Sequence, residues 1–367
     1  MSSEIMKIIF IIDLITYGGA PRMIISIAEA MSNYGHEVSI FSYASEMSII
    51  PIPPKVNFIK GKKFIKSKIL RHIIKIGEIR KVLANEAPDV VISFMPYPSI
   101  LSIVAKIGLG CKVIVCERGD PSIYKGFINL IGHRILRFAD GAVFQTEGAR
   151  NYYYNGNLYR KSTVIPNAVT LEKIARVQLS ERNNEIAFVG RFDIKQKRQD
   201  LALIAFSNVL KKYPTMKLVF YGDGEDIGRI ERLASDYQIS SNVLFLGKVD
   251  NIHMYLKESR MFLLTSDYEG IPNALIEAMC VGLPCVATDC SPGGARLLID
   301  NFHNGILVPS GDIDAISAAC IYVLDCPEEG EKFGIAAQNI SENFSPSIIY
   351  PKWESYIKSI MYEQKKG

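Results

Sequence analysis

Two glutamates, Glu269 and Glu277, stand at the start of one predicted helix and are the residues best placed to do chemistry. Glu269 lies in the loop before the helix, and Glu277 lies about a turn and a half inside it. The backbone amides of Gly270, Ile271 and Asn273 belong to the same helix N-terminus, where anions bind favourably. The amides can bind a phosphate, and the carboxylates beside them can bind hydroxyl groups. The combination suits a phosphorylated sugar or a nucleotide sugar.

A strand, a loop, a helix and a second strand position these residues within 258–290. The run MFLLT (261–265) is short, apolar and bounded by polar residues, which predicts a buried parallel strand. The helix should begin near Pro272, because proline has no amide proton to lose at a first helical position. It should end at Gly282, a C′ glycine, and PCVAT (284–288) should form the next strand.

The bulk composition indicates an α/β protein with large cores. A chain of 367 residues is long enough for two domains, and it is 48% hydrophobic and 22% charged. The seven cysteines show no CxxC pair, which favours free, mostly buried thiols in a reducing compartment. The evenly spaced Cys280, Cys285 and Cys290 could suggest a metal, but their places on a helix end and at the two ends of a strand favour core packing. No HExxH or Cys/His cluster is present, so we expect neither a catalytic metal nor a cofactor.

The first half of the chain alternates strands with helices, which implies a doubly wound parallel sheet. The predicted strands are KIIFIID (7–13), HEVSIFSY (36–43), DVVISFM (89–95), KVIVCE (112–117) and GAVFQT (141–146). The run at 8–12 is too short to span a bilayer. Ligands of such sheets bind at the carboxyl ends of strands, where several polar or glycine residues fall. These residues are Gly18, Gly19, Arg22, Glu117, Arg118, Asp120, Thr146 and Glu147. Each of these residues is either functional or part of an ordinary turn or solvated loop.

The alternation stops at a polar segment and then restarts. We therefore predict an N-terminal domain over 1–170, a linker over 171–184 and a C-terminal domain over 185–344. Two facing doubly wound domains would leave a cleft between their strand ends.

Residues 55–82 carry a net charge of +9, while the rest of the chain sums to −5. Because the basicity is local, it argues against nucleic-acid binding. Within this segment, the apolar positions 65, 69, 73, 76, 79 and 83 follow one helical face. A basic amphipathic helix can lie on an anionic membrane, and the alternative is an ordinary surface helix docked on its own sheet.

An ordered set of motifs resembles the family 4 glycosyltransferases. The set is GGAPR (18–22), IPNAV (165–169), FVGRFDIKQKRQD (188–200), YGDG (221–224), FLG (245–247), EGIPNALIEAMCVGLPCVATD (269–289) and NGILV (304–308). The resemblance implies a GT-B fold of two Rossmann-like domains. It also implies transfer of a sugar from a nucleotide sugar with retention at the anomeric carbon, without a metal or cofactor.

The resemblance also implies roles for individual residues. Glu269 would hold hydroxyls of the donor sugar, Glu277 the ribose hydroxyls, and Arg191 with a following lysine the diphosphate. That lysine is Lys197 or Lys195, with Lys197 favoured, because position 196 is glutamine where the family has lysine. The other donor-side residues are Gly19, Gly190, Gly222, Gly270, Ile271, Pro272 and Asn273. The acceptor-side candidates are Gly18, Arg22, Glu117, Arg118, Asp120 and Asn167.

Two motifs depart from the family pattern. Pro21 replaces the acidic residue of the GGAER turn, and Arg118 stands where many members carry a histidine. Arg118 and Asp120 could orient either the acceptor or the sugar. In this fold the last helix, here within 345–367, commonly packs back on the first domain. The single tryptophan, Trp353, is then expected to be a packing anchor rather than a sugar platform.

The predicted function is a retaining glycosyltransferase that moves a hexose or N-acetylhexosamine, with UDP the expected carrier, to a saccharide acceptor. We expect the acceptor to be lipid-linked and the product to be a cell-surface polysaccharide such as lipopolysaccharide or capsule. The protein would be cytoplasmic and peripheral on the membrane. The alternatives are a nucleotide-sugar epimerase, a transferase to a soluble acceptor, or an inactive relative that serves as a membrane scaffold.

Overall fold

The computed structural model describes residues 4–15, 19–43, 50–61, 68–124, 132, 134–153, 156–171 and 174–362, with the side chains of 68–70 left out. The chain divides into two compact units. The first contains Met1–Ala168 together with Pro346–Gly367, and the second contains Val169–Ser345. Each unit is an α/β structure built on one parallel sheet.

The first unit carries a seven-stranded sheet in the order β3-β2-β1-β4-β5-β6-β7. Its strands are β1 (Lys7–Ile12), β2 (Glu37–Ser42), β3 (Asn57–Lys60), β4 (Val90–Phe94), β5 (Lys112–Cys116), β6 (Gly141–Phe144) and β7 (Ser162–Val164). Its helices include α1 (Gly19–Asn33), α2 (Lys68–Glu86), α3 (Pro96–Ala105), α4 (Glu147–Asn151) and α5 (Asn157–Arg160). All neighbouring strands are parallel, which confirms the predicted doubly wound sheet.

The central strands are mostly apolar because helices cover both faces of the sheet. Ile9, Val91 and Val113 are fully buried in one core cluster. Strands β3 and β7 were not predicted from the sequence. Both are short edge strands whose residues are only partly buried, so they lack the apolar signal of the central strands.

The second unit carries a six-stranded parallel sheet in the order β10-β9-β8-β11-β12-β13. Its strands are β8 (Glu185–Val189), β9 (Lys217–Tyr221), β10 (Val243–Gly247), β11 (Met261–Leu264), β12 (Cys285–Thr288) and β13 (Ile306–Val308). Its helices are α6 (Ile194–Lys197), α7 (Gln199–Leu210), α8 (Ile227–Asp236), α9 (His253–Leu256), α10 (Asn273–Cys280), α11 (Gly294–Leu298), α12 (Ile313–Asp325), α13 (Pro327–Ala337) and α14 (Ile340–Asn343). The first strand of each unit lies inside its sheet, so each sheet has a switch point where the strand order reverses.

The segment 171–184, expected to be a linker, belongs to the second unit. Arg182 is buried, and its guanidinium donates to the carbonyl oxygens of Val177 at 3.0 Å and Gly282 at 3.1 Å. Arg176 donates to Glu331 at 2.5 Å. Arg182 of this polar segment is therefore buried against carbonyl oxygens, and Arg176 is half-buried beside Glu331.

The last helix, α15 (Pro346–Tyr362), belongs to the first unit. Trp353 is 0% exposed and stacks on Phe94, with ring centroids 6.3 Å apart and planes 13° apart. The Tyr356 hydroxyl accepts a hydrogen bond from Ala142 N at 2.8 Å and donates to Lys161 O at 2.5 Å. Trp353 is therefore a packing anchor of the first unit.

Helix α2 differs from its predicted amphipathic pattern. Ile79 and Leu83 are buried as predicted, but Ile73, on the same predicted face, is 63% exposed. Lys75 turns inward instead, with its ammonium 4.1 Å from the Tyr43 ring centroid and 3.6 Å from Asp13 Oδ1. The basic residues of 55–82 are thus not confined to one outer face, and positions 62–67 lie outside the described residues.

The three evenly spaced cysteines are buried members of one core cluster. Burial raises the pKa of Cys280 and Cys290 to about 12, so both thiols stay protonated. Within the described ranges, no group of three or more His, Cys, Asp and Glu side chains is arranged to hold a metal ion. Among the helices that the structure describes, none is both long and apolar enough to cross a bilayer.

Candidate functional site

The donor-side candidates other than Gly19 lie in the second unit, around the switch point of its sheet, where β8 and β11 are neighbours. Parallel strands end at the same sheet edge, so the residues that follow them lie close together. We call residues 190–198 the β8 loop and residues 265–272 the β11 loop. The first contains Arg191 and Lys197, and the second contains Glu269 and Gly270.

Side-chain contacts join the two loops. The Lys197 ammonium donates to Glu269 Oε1, and the Ser266 hydroxyl donates to the same oxygen at 2.8 Å. The Thr265 hydroxyl donates to the carbonyl oxygen of Lys197 at 2.9 Å. Glu269 is buried, and its partners compensate for the loss of solvation of its carboxylate. Ser266 was not identified from the sequence, although its position just after β11 was a usable signal.

Lys195 and Lys197 have different surroundings in the structure. Both lie on the short helix α6, but Lys195 is exposed whereas Lys197 turns toward Glu269. Arg198 follows in the left-handed conformation with φ 51° and donates to Asp267 Oδ2 at 2.9 Å, which ties the end of α6 to the β11 loop. The structure thus brings Lys197, and not Lys195, onto Glu269.

Arg191 is held on the β8 loop with most of its side chain accessible, at 65% exposure. Its Nη2 donates to Asp193 Oδ2 at 2.9 Å and to Gln196 Oε1 at 3.2 Å. The Gln196 amide in turn donates to Tyr268 O at 3.2 Å. Gln196, which stands where the family has lysine, therefore bridges Arg191 to the loop of Glu269.

Two glycines, Gly222 after β9 and Gly294 in α11, pack closely against the backbone of the β8 and β11 loops. A Cβ atom at Gly222, where φ is +139°, would lie 2.0 Å from Gly190 O. A Cβ atom at Gly294 would lie 1.7 Å from Gly270 O. Both distances are far below van der Waals contact, so a side chain at either position would push the β8 or the β11 loop out of place.

Helix α10 presents its N-terminus beside Glu269. Pro272 is the N-cap, so the helix begins at Asn273, one residue later than predicted. Gly282 follows the helix with φ 69°, as predicted. The first-turn amides of a helix have no intrahelical partner and favour an anion. Asn273 and Glu277 are four residues apart and so share one face of α10, while Ile271 is buried.

In the first unit, Glu117 follows β5 and organises the loop around it. Its Oε1 accepts from Arg118 N at 2.9 Å, Gly119 N at 3.1 Å and the Tyr124 hydroxyl at 2.9 Å. Burial raises the pKa of Glu117 to about 7, against the opposing effect of these hydrogen bonds. Glu117 thus shapes the loop that carries Arg118.

The other buried acceptor-side candidates also have defined partners. Asp120 caps the turn Pro121–Ile123, and its Oδ1 accepts from Ser122 N at 2.8 Å and from the Ser122 hydroxyl at 2.6 Å. Asn167 Oδ1 accepts from Gln145 Nε2 at 2.6 Å. Gln145 follows β6 and was not singled out from the sequence, although a polar residue at a strand end was again the signal.

Gly19 and Arg22 lie in the first turn of α1, and both are exposed. The contacts between described residues do not join them to the Glu117 loop. Gly18 lies outside the described residues.

The second-unit site combines two cations, a helix N-terminus and two carboxylates. Cations and amides can neutralise the charge that develops on a departing diphosphate, and preorganised groups of this kind are often the largest catalytic contribution. A carboxylate such as Glu269 can accept hydrogen bonds from sugar hydroxyls.

Comparisons with known proteins agree with this architecture. The model of Glycosyltransferase Family 4 matches residues 17–173, and that of Glycosyl transferases group 1 matches residues 170–340. A lipopolysaccharide outer core galactosyltransferase, WaaB in its apo form, superposes with a TM-score of 0.81 at 20% identity, covering 96% of this chain and 99% of that one.

Two relatives carry informative names. The Campylobacter jejuni enzyme GalNAc-alpha-(1->4)-GalNAc-alpha-(1->3)-diNAcBac-PP-undecaprenol alpha-1,4-N-acetyl-D-galactosaminyltransferase is 27% identical over 97% of this chain and 99% of its own length. The Escherichia coli enzyme UDP-Gal:alpha-D-GlcNAc-diphosphoundecaprenol alpha-1,3-galactosyltransferase is 32% identical over 45% of this chain and 46% of its own. With the two family models spanning residues 17–340, the chain belongs to the family 4 and group 1 glycosyltransferases and is a transferase of the GT-B fold.

Proposed function

We propose that this protein is a retaining glycosyltransferase that moves a hexose or N-acetylhexosamine from a UDP-sugar to a lipid-linked saccharide. The observation that carries the proposal is the contact between Lys197 and Glu269 at the N-terminus of α10, with Arg191 on the same loop as the lysine. A diphosphate bound by Arg191, Lys197 and the helix amides would place the attached sugar against Glu269.

The donor would be bound in two parts. Glu277, on the face of α10 that carries Asn273, would accept the ribose hydroxyls, and Glu269 would accept sugar hydroxyls. Binding of a diphosphate would give the Lys197 ammonium a second anionic partner, which supports a role for this cation in holding the leaving group. The proposed reaction uses no metal, because Arg191 and Lys197 would neutralise the negative charge of the diphosphate.

The reaction would proceed by front-face attack. The acceptor hydroxyl enters on the side from which the diphosphate leaves, and the leaving phosphate oxygen takes the proton. The new glycosidic bond forms as the bond from the anomeric carbon to the phosphate oxygen breaks, so the anomeric configuration is retained. This route requires no protein nucleophile.

The relatives support the choice of donor and acceptor. The name of the E. coli enzyme contains UDP-Gal, and the names of both curated relatives contain an undecaprenol-linked diphosphate saccharide. By analogy, we propose a UDP-sugar donor and a polyprenyl-linked acceptor in the synthesis of a cell-surface polysaccharide.

A lipid-linked acceptor would place the protein at the inner face of the membrane as a peripheral protein. The net charge of +9 over residues 55–82 and the exposed Ile73 and Ile74 of α2 support attraction to an anionic surface.

A thermal-shift screen tests the proposed donor. A ligand that binds the folded state stabilises it by mass action, by about 2.7 kcal/mol at a hundredfold excess over Kd. We expect UDP and one UDP-sugar to raise the melting temperature, and GDP and the GDP-sugars to leave it unchanged at equal concentration. A larger shift with GDP would contradict the assignment of the base, and the absence of a shift with every nucleotide would favour the scaffold alternative.

A further inference from the structure

The guanidinium of Arg118 lies against two neighbouring aromatic rings in the first unit. Its Cζ is 4.9 Å from the ring centroid of Phe94 at the end of β4, and 5.2 Å from that of Trp353 on α15. The two rings are nearly parallel. A guanidinium is attracted to aromatic faces through cation–π contacts, so the two rings help to hold the Arg118 side chain in place.

One edge of this guanidinium has no partner. Nη1 donates to Ile165 O at 3.5 Å, whereas Nε and Nη2 are closed to water and have no hydrogen-bond acceptor among the described residues. Nε and Nη2 form the side-on fork with which arginine binds two oxygens of a carboxylate or phosphate. Arg118 as a whole is 9% exposed. A buried cation without an anion costs free energy, so this fork favours an anionic partner.

The nearest acid does not satisfy the fork. Glu117 directs its Oε1 to the backbone amides of Arg118 and Gly119 and to the Tyr124 hydroxyl. No salt bridge joins the Glu117 carboxylate to the Arg118 side chain in the described part of the chain. The role of Glu117 is to shape the loop, and the fork is left for a ligand.

We propose that Arg118 binds an anionic oxygen pair on the acceptor, and that Phe94 and Trp353 are positioning residues that orient its fork. This inference rests on the proposed function in that it calls the ligand an acceptor. It adds that the acceptor carries a negative group, a phosphate or a carboxylate, at the site in the first unit. Helix α15, the last in the chain, thereby completes the acceptor side of the first unit.

Two further unpartnered atoms indicate that the anion is attached to a sugar. Asp120 Oδ2 and Gln145 Oε1 are buried without hydrogen-bond donors among the described residues, on loops at the same carboxyl edge of the sheet. Both are acceptors, so they suit hydroxyl or amide hydrogens rather than an anion. The ligand class is therefore a glycosyl phosphate or an acidic sugar.

Trp353 is a built-in reporter for this site, because it is the single tryptophan of the chain and it contacts Arg118. The fork is covered, so a ligand reaches it only after a covering side chain moves, and the Trp353 emission would report that movement.

We would titrate the full-length protein with glucose 1-phosphate, glucuronate and glucose, and follow tryptophan emission. The expected result is a saturable change with one or both anionic ligands at concentrations where glucose gives none.

Variants of Arg118 test whether anion binding requires the side-on fork or only a positive charge. Arg118→Gln and Arg118→Lys should each weaken anion binding by roughly ten- to a hundredfold, because neither residue can form the side-on fork. Arg160→Gln, which removes an exposed arginine of the same unit, should bind as the wild type does. Trp353→Phe keeps an aromatic face and should retain binding in calorimetry, whereas Trp353→Leu should lose it. Circular dichroism and the melting temperature of each variant verify its fold.

Which anion binds identifies the source. A response to glucose 1-phosphate alone indicates a glycosyl phosphate, and a response to glucuronate alone indicates an acidic sugar. An equal response to glucose, or an unchanged response in folded Arg118→Gln, would overturn the inference. The outcome is independent of the donor site: failure to bind any nucleotide would contradict the proposed function and leave the anion site standing.

Discussion

A lysine and a glutamate that lie far apart in sequence meet in the second unit, and this contact distinguishes Lys197 from its neighbour Lys195. The sequence predicted both members of the pair but left the choice of lysine open, because the two lysines stand two positions apart in a short helix and only its orientation decides which side chain turns inward. Gln196 and Ser266 were missed for a different reason. Their roles consist of hydrogen bonds to the β11 loop, and spacing alone does not reveal such partners.

The first prediction at this scale compares the two lysines. Lys197→Ala should lower kcat by roughly a hundred- to a thousandfold, because it removes a cation that faces the departing diphosphate. Lys195→Ala should stay close to the wild type, since Lys195 is exposed and is not the lysine held by Glu269. The measurement is steady-state release of UDP from the UDP-sugar that gives the largest thermal shift.

The melting temperature of each lysine variant serves as the control, since Lys197→Ala also leaves the buried Glu269 without its cation. If Lys195→Ala lost turnover and a folded Lys197→Ala kept it, the assignment of the diphosphate lysine would be wrong.

The environment of Arg118 shows the limit of prediction from residue type. Its position after β5 marked it as a candidate, but its partners Phe94 and Trp353 come from a different strand and from the last helix. Trp353 was correctly predicted to be a packing anchor. That the same ring also stacks on a candidate site residue depends on contacts between distant parts of the chain, which no local pattern encodes.

At the scale of elements, the long buried strands were predicted well and the marginal ones were not. Strands β1, β4 and β11 each read as an apolar run because both of their faces are covered. Strand β3 falls inside the basic segment and ends in Lys60, so charge concealed it. The segment 171–184 is polar in composition, yet its Arg182 is buried against carbonyl oxygens, a contact that composition does not reveal.

The prediction for the basic segment concerns its charge. The protein should co-sediment with vesicles that contain anionic lipid and should remain free of neutral vesicles, and binding should weaken as salt rises. Replacing Lys62, Lys63 and Lys66 with glutamine should weaken binding by about 3 kcal/mol, or roughly a hundredfold, at about 1 kcal/mol for each lysine.

The matched control replaces three exposed lysines of the second unit, Lys211, Lys217 and Lys332, with glutamine, so that the net charge falls equally. Equal loss of vesicle binding in the two triple variants would show that total charge, and not this segment, is responsible. It would remove the support for membrane attraction by the basic segment 55–82.

At the scale of the whole molecule, the two sheets repeat one strand order although the sequence shows no repeat of fixed period. The alternation of strands and helices made the doubly wound class predictable, because parallel strands need a crossover helix between them. The strand order itself could not be predicted in the same way, since order depends on which strands pair. It nevertheless determines the site, because it makes β8 and β11 neighbours and so brings the β8 loop to the β11 loop.

The close approach of glycine backbones is a second feature that emerges only in three dimensions. Gly222 was predicted to be on the donor side, and the structure explains its residue type by its contact with Gly190. Gly294 of α11 packs in the same way on the carbonyl of Gly270. Such contacts couple β9 and α11 to the two loops that carry Arg191 and Glu269.

The measurement that tests the central claim most directly is sugar transfer followed at the anomeric carbon. The purified protein would be incubated with an isotopically labelled α-linked UDP-sugar and polyprenyl diphosphate saccharides, and UDP and the glycoside would be followed together by NMR. We predict equal release of UDP and formation of an α-glycoside, with both rates reduced roughly a hundred- to a thousandfold in a folded Arg191→Ala variant. A β-linked product, or near-normal transfer by Arg191→Ala, would contradict the account.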